Sequence, residues 1–246
     1  MSRKYKNSPI SEAVCEFQFG QDSPWDLTVP GLVYEKVRTA FPKRSQIARV
    51  TLGISADAGG IGQQLGAVPI MRFLSEDEKL LIQVGTHLLS VNHLKPYSSW
   101  QNFLPVIQDG FKAYREVASP KSIHRIGLRY INTIQITGQS IDLEDYFEFR
   151  PYVGPNLPQT IGPFTLSVQL PFEGSRDILN LRLASLAGIS SEVATIILDL
   201  DYFLAQPGKV ELDKVFTWVD SAHTHVEEIF EACITDKLRQ TFEEET

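Results

Sequence analysis

Alternation of apolar and polar side chains in residues 12–19 is the feature that most constrains what this chain can fold into. One face of the segment carries Ala13, Cys15, Phe17 and Phe19, and the other carries Glu12, Val14, Glu16 and Gln18. Neighbouring residues of a β-strand point to opposite faces, so this pattern predicts a half-buried strand.

Further strands are predicted from short apolar-rich runs bounded by turn residues. They are 48–55, 71–74, 79–91, 123–136, 164–172, 178–185 and 193–204. The runs 71–74 and 79–91 form a predicted hairpin, and 123–136 is long enough to cross the middle of a sheet. The stretch 58–69 holds four glycines and few charges, so it is predicted to be a flexible loop. It is not predicted to bind phosphate, because it lacks the Lys-Ser/Thr pair of a phosphate-binding loop.

Helical spacing of apolar residues marks three segments. The first, 31–41, ends at Pro42, because the residue before a proline disfavours the α conformation. The second begins near Trp100, where Ser98 or Ser99 can cap it. The last carries an apolar stripe formed by Trp218, Ala222, Val226, Ile229 and Cys233, and extended by Leu238 and Phe242. These elements predict an α+β fold of mostly antiparallel sheets with helices packed on one face.

Two halves of similar size are predicted from the distribution of these elements. Residues 1–137 form an N-terminal α+β half, and residues 164–246 form a β-meander followed by a long helix. Between them, residues 138–163 are rich in glycine, proline and acidic side chains, which is typical of a connection.

The charge balance excludes some partners. The chain of 246 residues has a net charge of −7, which disfavours non-specific binding to nucleic acid or to anionic membranes. No apolar run is long enough for a transmembrane helix, and the basic N-terminus is followed by no apolar signal-peptide core. We expect a cytoplasmic protein in which Cys15 and Cys233 are buried thiols rather than a disulfide.

Arg125 and Arg129 are the first candidates for ligand binding. They share one face of the strand 123–136, with Gly127 between them, and two guanidinium groups over a bare patch can hold a carboxylate or phosphate. The alternative is structural. If this strand lies beside 12–19, the arginines form cross-strand pairs with Glu12 and Glu16. The ligand-binding candidates are therefore Arg125, Arg129, Glu12 and Glu16.

Asp199 and Asp201 are paired carboxylates on one face of a predicted strand, where they could contribute to a Mg²⁺ or Ca²⁺ site. No further ligands are evident, so charged residues on a solvent-facing strand are the stronger interpretation. His223 and His225 lie about 160° apart on the last helix and are not spaced to chelate one metal ion. His225 is predicted to pack in the core, and His223 to point away and pair with Glu227.

Catalytic and cofactor motifs are missing from the sequence. There is no G-x-S-x-G elbow, no P-loop and no G-x-G-x-x-G after a strand, so no cofactor is predicted and an enzyme is the weaker expectation. Small basic clusters around Arg38 to Arg49 and around Lys112 leave an RNA-binding module as an alternative, which the net acidity disfavours.

The segment Pro9-Ile10-Ser11-Glu12-Ala13-Val14-Cys15-Glu16 resembles the opening P-I-x-E-A-V-x-E strand of a sporadically distributed prokaryotic family of about this length. The strand Gly127-Leu128-Arg129-Tyr130-Ile131-Asn132 is similar to a second motif of that family. The family has no established activity, so the resemblance implies no catalytic residue. Its patchy distribution implies horizontally transferred modules, which include toxin–antitoxin and phage-defence genes.

These observations favour a non-enzymatic binding or regulatory protein that engages a protein partner or a second copy of itself. A second hypothesis is a sensor or enzyme that holds a small anionic ligand or nucleotide with Arg125 and Arg129. The first predicts a large apolar surface patch, and the second predicts a concave pocket near Gly127.

Overall fold

The computed structural model describes residues 3–57, 60–138, 141–185 and 193–244, and for residues 49–67 it describes the backbone alone. The strands are β1 (Ile10–Phe19), β2 (Lys43–Asp57), β3 (Gly60–Leu74), β4 (Leu80–Gly85), β5 (Leu88–Leu94), β6 (Ile123–Thr137), β7 (Phe164–Phe172), β8 (Asp177–Ser185) and β9 (Val193–Leu204). The helices are α1 (Val29–Val37), α2 (Trp100–Ala118), α3 (Val215–Cys233) and α4 (Asp236–Phe242).

A single antiparallel sheet runs through the described part of the chain. Its nine strands lie in the order β2-β3-β4-β5-β1-β6-β9-β8-β7. The first strand of the sequence therefore lies in the middle, hydrogen-bonded to β5 on one side and β6 on the other. This arrangement with four helices confirms the α+β class.

Register sets which side chains share a face. Leu128 of β6 lies opposite Cys15 of β1 and opposite Tyr202 of β9. Because residues two apart along a strand point to the same side, the even-numbered residues of β6 from Ile126 to Ile136 all face the same way. They form one continuous stripe across the centre of the sheet, and the odd-numbered residues form a second stripe on the opposite face.

Helices α2 and α3 contact the face that carries Leu128. Phe17 of β1 contacts Phe111 of α2 with ring centroids 4.9 Å apart. Tyr202 of β9 contacts Trp218 of α3 with ring centroids 5.6 Å apart. We call this side the helix face and the opposite side the open face. Burial of these large rings is the main favourable term in the core.

The start of α2 is fixed by its cap. Ser99 is extended, and its side chain accepts a hydrogen bond from the backbone N–H of Asn102, as predicted. This places Trp100 at the first turn, where its indole stacks on the imidazole of His223 in α3 with centroids 4.1 Å apart. The two helices thus approach each other at this end of the sheet.

Three predictions about local structure are wrong. The predicted loop 58–69 is part of β3 from Gly60 onward, because continuous pairing with β2 from Asp57 to Lys43 outweighs the glycine content. Residues 58 and 59 lie outside the described part. The predicted strand 79–91 is two strands, β4 and β5, which turn at Thr86 and His87; His87 has φ 50°. The predicted last helix is also divided, because Ile234 leaves the helical conformation between α3 and α4.

Both predicted halves contribute to the same sheet. The ladder between β6 and β9 runs from Gly127 opposite Phe203 to Thr137 opposite Val193, so the two halves are joined by backbone hydrogen bonds. The predicted connection 138–163 lies between β6 and β7, which are not neighbours in the sheet. Within the described ranges, no helix has the length and apolar character needed to cross a lipid bilayer.

Candidate functional site

A ladder of charged side chains occupies the open face of the central strands. It comprises Glu16 of β1, Arg125 and Arg129 of β6, Arg182 of β8, and Asp199 and Asp201 of β9. We call this group the charged ladder. It contains five of the six site residues predicted from the sequence. The sixth, Glu12, lies on the same face and accepts a hydrogen bond from Nδ2 of Asn92 at 2.6 Å.

Asp199 is the centre of the charged ladder. Its carboxylate accepts two hydrogen bonds from Arg129, from Nε and Nη2, each 2.7 Å long. A third bond of 2.7 Å comes from Arg182. The Asp199 side chain is only 6% exposed, so these bonds compensate for its lost hydration. The hydrogen bond to Asp199 raises the pKa of Arg129.

Arg125 is held between two carboxylates. Its guanidinium donates to Asp201 at 3.1 and 3.2 Å and to Glu16 at 3.4 Å. It also lies over the ring of Phe203, 4.6 Å from the centroid. Burial raises the pKa of Asp201, while the charges of Arg125 and Arg129 act in the opposite direction.

Gly127 leaves room for this arrangement. A Cβ at that position would lie 2.5 Å from Nη1 of Arg125, inside any allowed contact distance. The bare patch expected between the two arginines is therefore occupied by the guanidinium of one of them. Asp199 and Asp201, the two carboxylates considered as metal ligands, both accept hydrogen bonds from arginines and serve as their counter-ions. Among the residues that the structure describes, no three His, Cys, Asp or Glu side chains are grouped to hold a metal ion.

A cavity of about 810 Å³ lies on the other side of the sheet, between the N-terminal segment, the start of α2 and the helix α3. Six side chains of its wall matter for its chemistry: Tyr97, Trp100, Tyr130, Asn132, His223 and Glu227. We call it the helix-face cavity. Its volume is in the range of cavities that hold small organic ligands.

Four polar side chains in this wall form a connected series. The hydroxyl oxygens of Tyr97 and Tyr130 lie 3.3 Å apart, and the Tyr130 hydroxyl lies 3.2 Å from Nδ1 of His223. Nε2 of His223 lies 3.3 Å from Oε1 of Glu227. We call this series the phenol–imidazole chain. It spans β6, α3 and the segment before α2, so it forms only when all three are packed together.

Burial controls the protonation of the phenol–imidazole chain. It lowers the pKa of His223 to about 4, so the imidazole is neutral at pH 7. It also raises the pKa of Tyr97 and Tyr130, and the nearby negative charge of Glu227 adds to that shift. Both phenols therefore keep their protons.

Asn132 is the most unusual polar residue in the cavity wall. It is 1% exposed, and its Nδ2 donates to the carbonyl oxygen of Leu198 at 3.0 Å. That bond fixes the orientation of the amide, because only the nitrogen can donate. Its Oδ1 is then a buried acceptor without a hydrogen-bond partner in the described part of the chain.

The N-terminal segment closes one side of the cavity. Tyr5 donates its hydroxyl proton to Oε1 of Glu231 in α3 at 2.6 Å and pairs with Glu244 through an isolated β-bridge. The backbone N–H of Lys6 donates to the carbonyl of Glu243. This wall is therefore attached to α3 and to the C-terminal segment.

The prediction that the His223 side chain points away from the core is wrong. The side chain is 13% exposed and points toward Trp100 and Tyr130, although its predicted pairing with Glu227 is confirmed. The stripe on α3 identifies only the side that faces the sheet, whereas α3 also packs beside α2. His225 is packed as predicted, against the rings of Phe172 and Tyr202 at 5.0 and 5.3 Å.

One signal for the cavity was present in the sequence. The helix-face stripe of β6 consists of Ile126, Leu128, Tyr130, Asn132, Ile134 and Ile136. An amide in the middle of this buried stripe breaks the alternation, and buried amides require hydrogen-bond partners.

The two cysteines carry no comparable signal of a site. Both are buried free thiols, as predicted, and burial raises the pKa of each.

Neither a scan against protein-family models nor a search of curated proteins returns a match for this chain. The resemblance to the sporadically distributed prokaryotic family therefore stays a prediction. The same holds for the defence and toxin–antitoxin setting that this resemblance implies.

Proposed function

We propose that this chain is a binding protein that holds a small organic ligand in the helix-face cavity. The observation that carries the proposal is a cavity of about 810 Å³ whose wall includes Asn132, a buried amide with an unpartnered Oδ1. A buried acceptor without a donor costs about 1–3 kcal/mol, and more than about 90% of buried polar groups are paired. Because Oδ1 itself has almost no accessible surface, a ligand removes this cost only if neighbouring side chains move to let it donate there.

The shape and surroundings of the cavity support a ligand larger than a water molecule. One water occupies about 30 Å³, far less than the volume present. The wall combines aromatic rings, such as those of Tyr97 and Trp100, with a few convergent polar groups, which is typical of ligand pockets. Neutral His223 and the protonated phenols keep the polar part of the wall in one defined protonation state at pH 7.

Ligand-observed NMR with a library of small fragments tests the proposal. We expect a set of fragments to bind the wild-type protein and to lose binding in Asn132→Leu, which removes the acceptor with little change in volume. Asn180→Leu is the matched control, because Asn180 lies on the open face, where its Oδ1 accepts from Gln169. If no fragment binds, or if Asn132→Leu binds the same fragments equally well, the proposal is wrong.

A protein partner is the second candidate, favoured by apolar side chains in the connection before β7. Tyr152 is 87% exposed and Leu157 is 61% exposed, although most large apolar residues of the described chain are buried. We propose this segment as the contact, with Tyr152→Ser/Leu157→Ser as the test. Loss of a stoichiometric co-purifying protein from the double variant supports this candidate, and retention contradicts it.

The alternative that uses Arg125 and Arg129 for an anionic ligand has less support. Both guanidinium groups already donate to Asp199, Asp201 or Glu16 on the open face. An anion would have to displace carboxylates that are themselves partly buried. That alternative stays a prediction, as does an RNA-binding role.

A further inference from the structure

The edge strand β7 lacks the charged side chains that commonly protect the edge of a sheet. The sheet ends at β2 on one side and at β7 on the other, and each has one strand neighbour among the described residues. An edge presents unpaired backbone N–H and C=O groups, and charges on the strand discourage pairing with another chain. No residue of β7 is charged. The sequence of β2, by contrast, contains charged residues: Lys43, Arg44, Arg49 and Asp57.

The outward backbone groups of β7 belong to its odd-numbered residues. The backbone N–H of Ala205, after β9, donates to the carbonyl of Arg176, before β8, at 2.8 Å. Because backbone groups alternate between the two sides of a strand, even-numbered residues of β8 bond to β9 and odd-numbered ones bond to β7. Leu179 of β8 lies opposite Leu170, so the even-numbered residues of β7 bond inward. The residues whose backbone faces outward are Thr165, Ser167, Gln169 and Pro171.

The even-numbered side chains of β7 lie on the helix face. Leu170 is opposite Leu179, which is in turn opposite Tyr202 of β9. These side chains are only half-buried, whereas Leu181, opposite Val168 in β8, is 3% exposed. Apolar surface therefore remains open along the outer side of β7.

The apolar residues of β7 are arranged symmetrically about the centre of the strand. Its helix-face positions read Phe-Leu-Val-Leu-Phe in either direction: Phe164, Leu166, Val168, Leu170 and Phe172. Two copies of such a strand match when they run antiparallel, because each apolar residue then lies opposite another. The register with β8 is continuous over the same residues, so no bulge interrupts this edge.

We infer that β7 pairs antiparallel with β7 of a second copy of this chain, about a two-fold axis at Val168. Val168 then lies opposite its own copy, Leu166 opposite Leu170, and Phe164 opposite Phe172. An axis perpendicular to the sheet keeps both helix faces on one side, as a self-complementary interface requires. An axis at any other residue leaves part of this strand unpaired.

The backbone permits this register despite Pro171. Ser167 lies opposite Gln169 of the second copy, and both have an N–H and a C=O to exchange. Thr165 lies opposite Pro171, and this pair loses one hydrogen bond because proline has no N–H. Only the outer pairs are therefore weakened. The inference is independent of the ligand proposed for the helix-face cavity.

Cysteine cross-linking tests the register. Directly opposite residues have Cα atoms about 4.5–5.5 Å apart, which a disulfide can span. We expect Val168→Cys to form a disulfide-linked dimer under mild oxidation, detected on a non-reducing gel after free thiols are blocked. The native Cys15 and Cys233 are buried and do not compete.

Leu166→Cys is the matched control for Val168→Cys. In the inferred register the two copies of residue 166 are offset by about 13 Å along the strands, too far for a disulfide. Cross-linking of Val168→Cys well above that of Leu166→Cys supports the inference. Equal cross-linking of the two variants, or no cross-linking of Val168→Cys, overturns it.

Sedimentation velocity measures the association itself. We expect the wild-type chain to be dimeric at about 50 µM. Ser167→Pro removes a central outward N–H without altering the bonds to β8, and we expect it to raise the dimer Kd about tenfold or more. The control is Gln169→Ala, which removes a side-chain bond to Asn180 but keeps the backbone, and should change Kd less than about twofold.

A wild-type chain that is monomeric at this concentration, alone or bound to a different protein, overturns the inference. A dimer that Ser167→Pro leaves unchanged also overturns it, because the contact then lies elsewhere. Circular dichroism establishes whether Ser167→Pro is folded. If it is not, the comparison of Val168→Cys with Leu166→Cys decides the outcome.

Discussion

The two faces of β6 carry opposite kinds of polar chemistry on one strand. On the open face, Arg125 and Arg129 are charged, and each is held by carboxylates. On the helix face, Tyr130 and Asn132 are neutral, and Asn132 retains an acceptor without a partner. On β6 itself, the face with the most charge is therefore the one whose polar groups are more completely hydrogen-bonded. For this strand, an unmet hydrogen bond on the buried face is a better indication of a site than charge on the open face.

The physical reason lies in the partners that each face makes accessible. Arginines on the open face reach carboxylates of β9 diagonally: Arg129 lies opposite Asp201 but bonds Asp199, and Arg125 bonds Asp201. Side chains on one face of neighbouring strands are close enough for such diagonal pairs. On the helix face, Nδ2 of Asn132 is paired with the carbonyl of Leu198, and Oδ1 has no hydrogen-bond partner among the described residues. The following changes test the contrast, from the largest expected effect to the smallest.

Asp199→Ala is expected to give the largest loss of stability, about 3 kcal/mol of unfolding free energy. It removes the common partner of Arg129 and Arg182 and leaves both guanidinium groups without the carboxylate to which they donate. The loss is at the low end for a buried pair, because both arginines remain partly hydrated. Urea unfolding measures it. The control is Asp213→Asn, which breaks an exposed pair with Arg115 and should cost less than about 1 kcal/mol.

If Asp199→Ala costs no more than Asp213→Asn, the charged ladder is not a structural network. Arg125 and Arg129 would then return as candidates for ligand binding, and the contrast between the two faces would be lost.

Acidification is expected to destabilise the protein through His223. The unfolded chain takes up a proton at the ordinary histidine pKa of 6.5, but the buried imidazole does so only near pKa 4. As pH falls from about 6.5 to 4, the unfolded state therefore binds more protons and the unfolding free energy decreases. The full effect is roughly 3 kcal/mol. Well above pH 6.5 the histidine is neutral in both states and contributes no pH dependence.

The measurement compares wild type with His223→Gln by urea unfolding at several pH values from 7.5 to 4.5. Other titrating groups are common to both proteins, so the difference between the two curves isolates His223. We expect the wild type to lose stability more steeply in this window. Parallel curves would show that the imidazole is not buried in its neutral form.

Gly127→Ala is expected to cost about 1 kcal/mol. The new methyl group would lie 2.5 Å from Nη1 of Arg125 and must displace the guanidinium from Glu16 and Asp201. The cost is modest, because the end of an arginine can move and the displaced charges can be hydrated. Gly154→Ala is the control, since no atom lies within 4 Å of its added carbon. Equal stability of the two variants would show that Gly127 does not make room for Arg125.

Asn132→Leu is expected to change the unfolding free energy by less than about 1 kcal/mol. The substitution loses the bond to the carbonyl of Leu198, but it also removes a buried oxygen that has no partner. A change this small at a residue that is 1% exposed would contrast sharply with Asp199→Ala. A loss of about 3 kcal/mol instead would show that Asn132 is a structural residue, and the proposed function would lose its main support.

Much of the sheet was predictable because its strands are bounded by clear turns and alternate regularly. The segment 12–19 and the three strands of the meander are confirmed to within a few residues. The errors occur where pairing outweighs local preference. Gly60 begins a strand because it pairs with Asp57 of β2, and this pairing continues along the whole of β3. The turn at Thr86 and His87 contains neither glycine nor proline, so local composition did not mark it.

The cavity was less predictable than the fold, since it depends on three segments far apart in sequence. Asn132 could have been identified as a polar interruption of a buried stripe. The direction of the His223 side chain could not have been predicted, because a helix with two neighbours buries two of its sides. The apolar periodicity of the sequence identifies only the wider of these two buried sides. Arg125 and Arg129 were predicted as ligand-binding residues because of their charge. Their hydrogen bonds to Asp199 and Asp201 could not be predicted, because those bonds depend on which strands are adjacent in the sheet.

The position of β1 in the middle of the sheet has a consequence for synthesis on the ribosome. This strand emerges before the other described strands, yet Cys15 pairs with Leu128, roughly a hundred residues later. At about 5–20 residues per second, the exposed apolar face of β1 waits for roughly 5 to 20 seconds before β6 exists. The hairpins from β2 to β5 close locally during that interval, and β5 offers β1 its first edge. The nascent chain therefore assembles one flank of the sheet before its centre, and the helix face is completed only when α3 is released.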